Sequence, residues 1–229
     1  MTLSIVIPVL NEAAGIGPAL ARLGPLRRRG VEIVVADGGS NDGTAALAAP
    51  YCDQVVTAPR GRARQMNAGA AAATGDVLLF LHADTQLPGD ADRLVLDGLR
   101  DSKHVWGRFD VRIDGPPALT VVALMMNLRS RLTGIATGDQ AIFVTREAFE
   151  RAGRFPEIAL MEDIALTAKL LDQSRPLCLR ARAVTSGRRW QQHGVLRTIL
   201  LMWRLRFAYW RGADPSDLAR RYGYGTAER

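Results

Sequence analysis

A short apolar run followed by polar side chains stands near the middle of the first half of the chain. Residues 77–81, VLLFL, are continuously apolar, which is typical of a strand buried on both faces and too short for an ordinary helix. His82, Asp84 and Thr85 follow directly. Ligands of open α/β sheets bind at the carboxyl ends of the strands, so this carboxylate and imidazole are candidate ligands of a divalent cation. A turn before Pro88, capped by Asp84, explains the same residues without a ligand.

A second carboxylate ends another predicted strand. Residues 32–36 read EIVVA, and Asp37 opens the loop DGGSNDGT at residues 37–44. This density of Gly, Asn and Asp indicates a loop with backbone positions at positive φ. A calcium-binding EF-hand is excluded, because with Gly43 at the required sixth place the first ligand would be Gly38. A plain turn explains the loop, but Asp37 and Asp84 at the ends of two parallel strands could also face one crevice.

Basic and acidic side chains open two predicted helices. Arg60, Arg62 and Arg64 precede an alanine-rich helical stretch, and they could contact phosphate or a nucleobase; an exposed basic helix face is equally common. Glu162 and Asp163 open an amphipathic helix predicted to end at residue 171. The helix dipole favours carboxylates in a first turn, and this effect alone would account for both acids.

The composition limits the classes of protein to consider. The chain has 229 residues, a hydrophobic fraction of 48% and a charged fraction of 23%, as in an ordinary globular domain. Cys52 and Cys178 are the only cysteines, so we expect no disulfide framework and a reducing compartment. No apolar run has the length of a signal peptide or a membrane span. The net charge of +7 is carried mainly by arginine, which fits a phosphorylated ligand, nucleic acid or an anionic membrane, but also a codon bias.

The order of the elements predicts an α/β fold. Residues 4–9 form the first strand, and Asn11 is expected to cap a helix whose apolar residues recur at helical spacing. Short strands at residues 32–36, 55–56 and 76–81, with intervening helices, give the β-α-β-β-α-β order of a parallel sheet. Residues 106–114 alternate in polarity, which predicts a half-buried strand antiparallel to the rest. An apolar helix over residues 119–132 and a strand over residues 141–145 complete the second half.

The last predicted helix has two distinct faces. Its aromatic and leucine residues recur at helical spacing, and its arginines recur every seven residues; these are Leu196, Leu200, Trp203, Phe207 and Trp210, with Arg197, Arg204 and Arg211. An interfacial helix at a membrane and a core helix with snorkelling arginines both fit this pattern.

The ordered set SIVIPVLNE, DGGSNDGT, HADT, GDQ, MED and RRW resembles glycosyltransferase family 2, over residues 3–193. Within that family, the combination of HADT, GDQ and RRW is similar to a bacterial subgroup linked with arsenosugar biosynthesis. The resemblance implies a GT-A-like, Rossmann-type mixed sheet flanked by helices in a single domain, residues 1–193. Residues 1–85 would form its nucleotide-binding half and residues 86–193 its acceptor half, followed by an amphipathic helical segment at residues 194–229.

The same resemblance implies a role for each matching residue. Asp163 would be the general base with Glu162 beside it, and Asp84 would be the retained carboxylate of the DxD motif, holding Mn²⁺ or Mg²⁺ against a diphosphate. The nucleotide pocket would include Pro8, Glu12, Asp37 and Arg64. The acceptor side would include Gly138, Asp139, Gln140, Arg189 and Trp190. His82 stands where the family usually has aspartate, which favours Mn²⁺, and His193 is a further candidate ligand.

The resemblance therefore implies an inverting, metal-dependent transfer of a sugar from a nucleotide-diphosphate sugar to a hydroxyl of a small-molecule or lipid-linked acceptor. We expect a cytoplasmic protein, with contact at the inner membrane face as an option, and no nucleic-acid partner; the sequence leaves the oligomeric state open. Two alternatives stay open, a nucleotidyltransferase and a non-catalytic nucleotide-sugar-binding homologue. A Rossmann cofactor site has weak support. Its motif needs a third glycine after Gly15 and Gly17, and Leu20 stands at that position.

Overall fold

The computed structural model describes residues 1–100 and 102–223 of the chain. Within them, eight strands form one mixed sheet in the order β3-β2-β1-β4-β7-β6-β8-β5. The strands are β1 (Leu3–Val9), β2 (Glu32–Asp37), β3 (Gln54–Thr57), β4 (Val77–Phe80), β5 (Thr85–Gln86), β6 (Trp106–Asp114), β7 (Phe143–Thr145) and β8 (Leu177–Ser186). The predicted α/β fold with a mixed sheet is confirmed.

Helices connect these strands and cover the sheet. They are α1 (Ala13–Ala21), α2 (Gly24–Arg27), α3 (Thr44–Ala48), α4 (Arg62–Ala72), α5 (Ala91–Arg100), α6 (Ala118–Thr133), α7 (Arg146–Arg151), α8 (Glu162–Leu171), α9 (Arg188–His193), α10 (Val195–Trp210) and α11 (Pro215–Tyr222). Residues 138–140 form a 3₁₀ turn between α6 and β7. None of the described helices has the length and apolar character needed to cross a membrane.

Both faces of the sheet are buried, as the continuous apolar runs predict. Alternate residues of β1 point to opposite sides: Ile5 and Ile7 pack with Ile16 and Leu20 of α1, whereas Val6 packs with Met66 of α4. This arrangement leaves the strand ends as the natural location of polar side chains.

The parallel strands bring several sequence motifs to one edge of the sheet. β1 pairs in parallel with β2 on one side and with β4 on the other, and Val9 is in register with Asp37. The pairing of β1 with β4 ends at Val6 and Phe80, so Pro8 lies beyond it and costs no ladder hydrogen bond on that side. The segments that follow β1, β2 and β4 therefore emerge side by side.

Three details differ from the sequence predictions. The strand β6 pairs antiparallel with β7 and parallel with β8, and it runs in the same direction as β1 to β4, so the expectation that it opposes the rest of the sheet is wrong. The strand β8 was not predicted, although Leu177, Leu179 and Ala181 alternate with more polar residues. Asn11 does not cap α1; its side-chain oxygen accepts the backbone N–H of Asn41 instead.

The last two described helices fold back onto the domain. Leu205 of α10 packs with Leu218 of α11 and with Leu160 and Met161, which precede α8. The inner face of α10 is thus anchored beside the residues that lead into α8. Residues 224–229 of the predicted C-terminal segment lie outside the described residues.

Candidate active site

The segment after β1 is fixed to the loop after β2 by hydrogen bonds. The backbone N–H of Glu12 donates to Oγ1 of Thr44 (2.8 Å), and the N–H of Ala13 donates to Oδ2 of Asp42 (3.0 Å). Asp42 also accepts from the backbone and hydroxyl of Thr44, and these bonds lower its pKa. These hydrogen bonds hold the segment that carries Glu12 against the loop that follows β2.

Asp37 shapes its own loop. Its carboxylate is buried, with 5% of the residue exposed, and it accepts the backbone N–H groups of Gly39 (3.2 Å) and Ser40 (3.0 Å) and the Ser40 hydroxyl. Gly39 has φ +88°, a conformation that favours glycine. The predicted nucleobase acceptor is therefore already hydrogen-bonded within the loop, and a base would have to share its remaining lone pairs.

Gln65 of α4 holds the ends of β1 and β2 together. Its side-chain amide donates to the carbonyl oxygens of Val9 (2.6 Å) and Ala36 (3.0 Å) and is itself buried. Gly38 packs directly on this amide, because a Cβ at Gly38 would lie 2.9 Å from the Gln65 side chain. The segments that carry Glu12 and Asp37 are therefore tied together by Gln65 at the ends of β1 and β2.

Glu12 and Asp84 lie close enough to influence each other. Burial raises the pKa of Glu12, Arg188 of α9 acts against this, and the charges of Asp84 and Asp42 add to the rise. Asp84 itself is exposed at the turn between β4 and β5, where its only described contact is the Thr85 hydroxyl at 3.4 Å. Its oxygens are available to an external cation.

His82 links this strand end to the 3₁₀ turn at residues 138–140. Its Nδ1 lies 3.4 Å from Oδ1 of Asp139, and its ring packs on Gly138, where a Cβ would lie 2.4 Å from Nε2. Desolvation acts to raise the pKa of Asp139, but the hydrogen bond and charge of His82 together with the charge of Arg62 lower the pKa overall. Two predicted motifs, HADT and GDQ, are thereby in contact.

Asp163 is held by the same turn. Its Oδ2 accepts the backbone N–H of Gly138 (2.9 Å), and its Oδ1 accepts the N–H of Ile164 in α8 (2.7 Å). Burial raises the pKa of Asp163 in spite of these bonds, and burial together with the Asp163 charge raises the pKa of Glu162. Met161, with φ +72°, turns the chain so that both acids enter the first turn of α8.

Arg62 is the arginine that faces these acids. Its Nη1 lies 3.7 Å from Oε1 of Glu162, and its charge lowers the pKa values of Glu162, Asp163 and Asp139. The candidate chosen from the sequence, Arg64, instead pairs with Glu157 at 3.1 Å, with both side chains at least half exposed. Arg62 and Arg64 are two residues apart on α4, so the helical turn decides which of them reaches the cleft.

The remaining acceptor-side candidates lie in the 3₁₀ turn and in α9. Gln140 is buried, and its side-chain oxygen accepts the N–H of Thr137. Trp190 of α9 packs on Val111 and Ile113 of β6 and on Leu119 of α6. Arg189 lies in α9, but its side chain is outside the described part of the structure.

The predicted metal ligands do not form one protein cage. Within residues 1–100 and 102–223, no three His, Cys, Asp or Glu side chains are grouped as ligands of one ion. His82 faces Asp139, and His193 is exposed at the end of α9. Asp84 fits a different kind of site, because Mg²⁺-type ions are commonly held by one or two carboxylates together with substrate phosphates.

Tyr209 was not expected near the site. Burial raises the pKa of Tyr209, and the Asp163 charge adds to the rise, so α10 reaches the general region of the acids. Neither the spacing of apolar residues in α10 nor the composition of this helix indicates that Tyr209 lies near Asp163. Arg188, whose charge acts on Glu12, could have been identified from the sequence, because it stands directly before the Arg189-Trp190 pair of the RRW motif.

Comparison with known proteins identifies the family of the chain. The model of the family "Glycosyl transferase family 2" matches residues 4–149. The uncharacterized glycosyltransferase Rv0539 of Mycobacterium tuberculosis is 34% identical over 107 residues, which is 46% of this chain and 47% of that protein. The matched region thus spans about half the length of this curated relative.

Solved structures share the fold at low sequence identity. S. aureus TarS in complex with UDP-GlcNAc superimposes with a TM-score of 0.67 at 19% identity, over 81% of this chain and 58% of that one. The mannosyltransferase PcManGT of Pyrobaculum calidifontis, in complex with GDP-Man and Mn²⁺, gives 0.65 at 22% identity, over 97% of this chain and 69% of that one. These likenesses concern the fold, which is of the GT-A type. With the family model matching well over half of its length, the chain belongs to glycosyltransferase family 2.

Proposed function

We propose that this protein transfers a sugar, with inversion, from a nucleotide-diphosphate sugar to a hydroxyl group of a small-molecule or lipid-linked acceptor. The observation that carries the proposal is the contact between the end of β4 and the start of α8. His82, two residues before Asp84, packs on Gly138, whose N–H is bonded to Asp163. An exposed carboxylate, Asp84, and a partly buried carboxylate of raised pKa, Asp163, therefore belong to two segments that meet at Gly138.

The chemistry requires a base on the acceptor side. An acceptor hydroxyl must lose its proton as it attacks the anomeric carbon, and a carboxylate whose pKa is raised is a better base than an ordinary aspartate. Asp163 meets this requirement, while its bonds to Gly138 and Ile164 fix its orientation. Because base and leaving group act from opposite faces of the sugar, one displacement inverts the anomeric centre.

The donor side requires charge stabilisation. A divalent cation, Mn²⁺ or Mg²⁺, bound by Asp84 and the donor diphosphate would neutralise the charge of the leaving group. Glu12, Asp42 and Arg188 surround this position, and Arg188 offers a positive charge there. Related proteins support the donor class: the structures described above contain UDP-GlcNAc in one case and GDP-Man with Mn²⁺ in the other.

The proposal is tested by separating turnover from donor binding. We expect Asp163→Asn to lower turnover by about 10²- to 10⁴-fold while donor affinity changes little, because only the base is lost. In the wild type, kcat/KM should fall with decreasing pH through a pKa above the ordinary aspartate value of 3.8. Transfer from radiolabelled UDP- and GDP-sugars and isothermal titration of the donors would give both quantities.

A matched carboxylate variant makes the result specific. Asp97→Asn removes an exposed aspartate on α5 that pairs with the exposed Arg100 one helical turn away, so both quantities should stay unchanged. A folded Asp163→Asn variant with wild-type turnover would contradict the role of Asp163. Loss of donor binding in that variant would move Asp163 to the donor pocket.

A further inference from the structure

Two helices carry most of the exposed apolar side chains. Of thirteen large apolar side chains that are exposed among the described residues, ten lie on α6 and α10. They are Val121, Leu124, Met125, Leu128 and Leu132 on α6, and Leu196, Leu200, Trp203, Phe207 and Trp210 on α10. On each helix they recur at helical spacing and form one stripe.

The two helices meet one buried cluster at the start of α10. Val195 of α10, Val122 and Met126 of α6, and Trp190 all pack against the cluster formed by Val111, Ile113, Leu119 and Ala123. The exposed Leu196 and Met125 are the sequence neighbours of these packed residues. We name the combined exposed faces of α6 and α10 the apolar ridge. Exposed apolar surface of this extent usually marks an interaction site.

The charges around the ridge select its partner. Arg197, Arg204 and Arg211 are exposed along α10, and neither α6 nor α10 contains an aspartate or glutamate. The guanidinium of Arg211 lies 5.8 Å from the centre of the Phe207 ring, which in turn lies 6.0 Å from that of Trp210. A second copy of the chain would bring arginines against arginines, which disfavours a symmetric dimer.

We propose that the apolar ridge docks the protein onto a lipid bilayer with anionic headgroups. Tryptophan, phenylalanine and leucine side chains would enter the region between headgroups and acyl chains, and the arginines would contact lipid phosphates. The acid-free helix α10 matches this partner in both apolar content and charge.

This docking also has a consequence for the acceptor, which rests on the proposed function. The opposite face of α10 packs on Leu160 and Met161, and Tyr209 lies near Asp163. A bilayer on the ridge would therefore lie beside the acceptor side of the cleft. The acceptor class that fits is an amphiphile whose hydroxyl-bearing head projects from the membrane.

Co-sedimentation with vesicles tests the docking without measuring activity. We expect binding to phosphatidylcholine vesicles that contain phosphatidylglycerol, weaker binding to phosphatidylcholine alone, and a loss of affinity as salt rises. Trp203→Ser combined with Trp210→Ser should lower the affinity at least about tenfold, because both indoles are more than two thirds exposed in the free protein. Replacing Arg197, Arg204 and Arg211 by glutamine should cost roughly fivefold per residue.

The control variant carries Leu47→Ser and Tyr51→Ser, which remove two exposed apolar side chains far along the chain from the ridge. It should bind vesicles like the wild type, and circular dichroism should show that all variants are folded. Equal binding of the ridge and control variants would overturn the proposal. The proposal would also be overturned by the following pair of results: the wild type forms a dimer in light scattering and does not bind vesicles, and the double tryptophan variant is a monomer. Nucleotide binding by the same variants tells a failure of docking from a failure of the proposed reaction.

Discussion

Two adjacent carboxyl groups, the buried Glu162 and the partly buried Asp163, set the electrostatics at the residue scale. Glu162 is 3% exposed, and its pKa is raised by burial and by the charge of Asp163. Arg62 offsets only part of this cost. A buried acid whose ionised form is disfavoured is unusual in a purely structural helix start, where the dipole and solvent would lower its pKa. The helix-dipole explanation of these acids therefore does not account for their environment.

The raised pKa of Glu162 predicts a pH-dependent stability. Between the ordinary value of 4.5 and the raised value, the folded state binds more protons than the unfolded state. The contribution of Glu162 to the free energy of unfolding therefore falls as pH rises through this interval. We expect Glu162→Gln to remove this loss, so that the stability of the variant relative to the wild type increases as pH rises above the ordinary value of 4.5. Urea unfolding across this range measures the difference.

Glu157→Gln is the matched control, because Glu157 is 58% exposed in its pair with Arg64. Exposed pairs of this kind contribute about 0–1 kcal/mol, so its stability should follow the wild type at every pH. Parallel pH curves for Glu162→Gln and the wild type would show that Glu162 is not held in the environment described above.

At the scale of elements, the contact between the end of β4 and the 3₁₀ turn depends on the absence of a side chain at Gly138. The 3₁₀ turn at residues 138–140 approaches the end of β4 because Gly138 leaves room for the His82 ring. The same residue donates the N–H that orients Asp163. Gly138 therefore contacts both the end of β4 and the first turn of α8.

Gly138→Ala is expected to lower the free energy of unfolding by about 1–3 kcal/mol, since its Cβ would lie 2.4 Å from Nε2 of His82. Gly15→Ala is the control: a Cβ there meets nothing within 4 Å inside α1, and the change should stabilise the protein by up to about 1 kcal/mol. In a His82→Ala background the cost of Gly138→Ala should largely disappear. Equal costs in both backgrounds would assign the effect to the backbone instead.

At the scale of the whole molecule, ligand binding should be visible as stability. A nucleoside diphosphate at 100 times its Kd stabilises a folded protein by about 2.7 kcal/mol, which corresponds to a rise in Tm of roughly 5–10 °C for a chain of this size. We expect UDP or GDP to give a larger rise with Mn²⁺ than without it, and Asp84→Asn to remove the Mn²⁺-dependent part. Asp97→Asn should keep it. A shift that is the same with and without Mn²⁺ would contradict the role of Asp84.

Local patterns in the sequence were sufficient for much of the fold. Continuous apolar runs predict β1, β2 and β4, because strands buried on both faces admit no polar alternation. The polar residues that end them predict where a site must lie, since parallel strands present their carboxyl ends at one edge. The order of short motifs was sufficient to recognise the family, which the match to residues 4–149 confirms.

The tertiary structure decided what local patterns leave ambiguous. Arg108 alternates as an outward residue of β6, yet it is fully buried, because α6 covers that face and supplies Ser130 and the Asn127 carbonyl as partners. The choice of Arg62 over Arg64 and the approach of Tyr209 to Asp163 depend on how whole helices pack. Sequence spacing fixes which residues share an element; long-range packing fixes which elements meet, and that is what brings His82 and Asp163 to the same turn at Gly138.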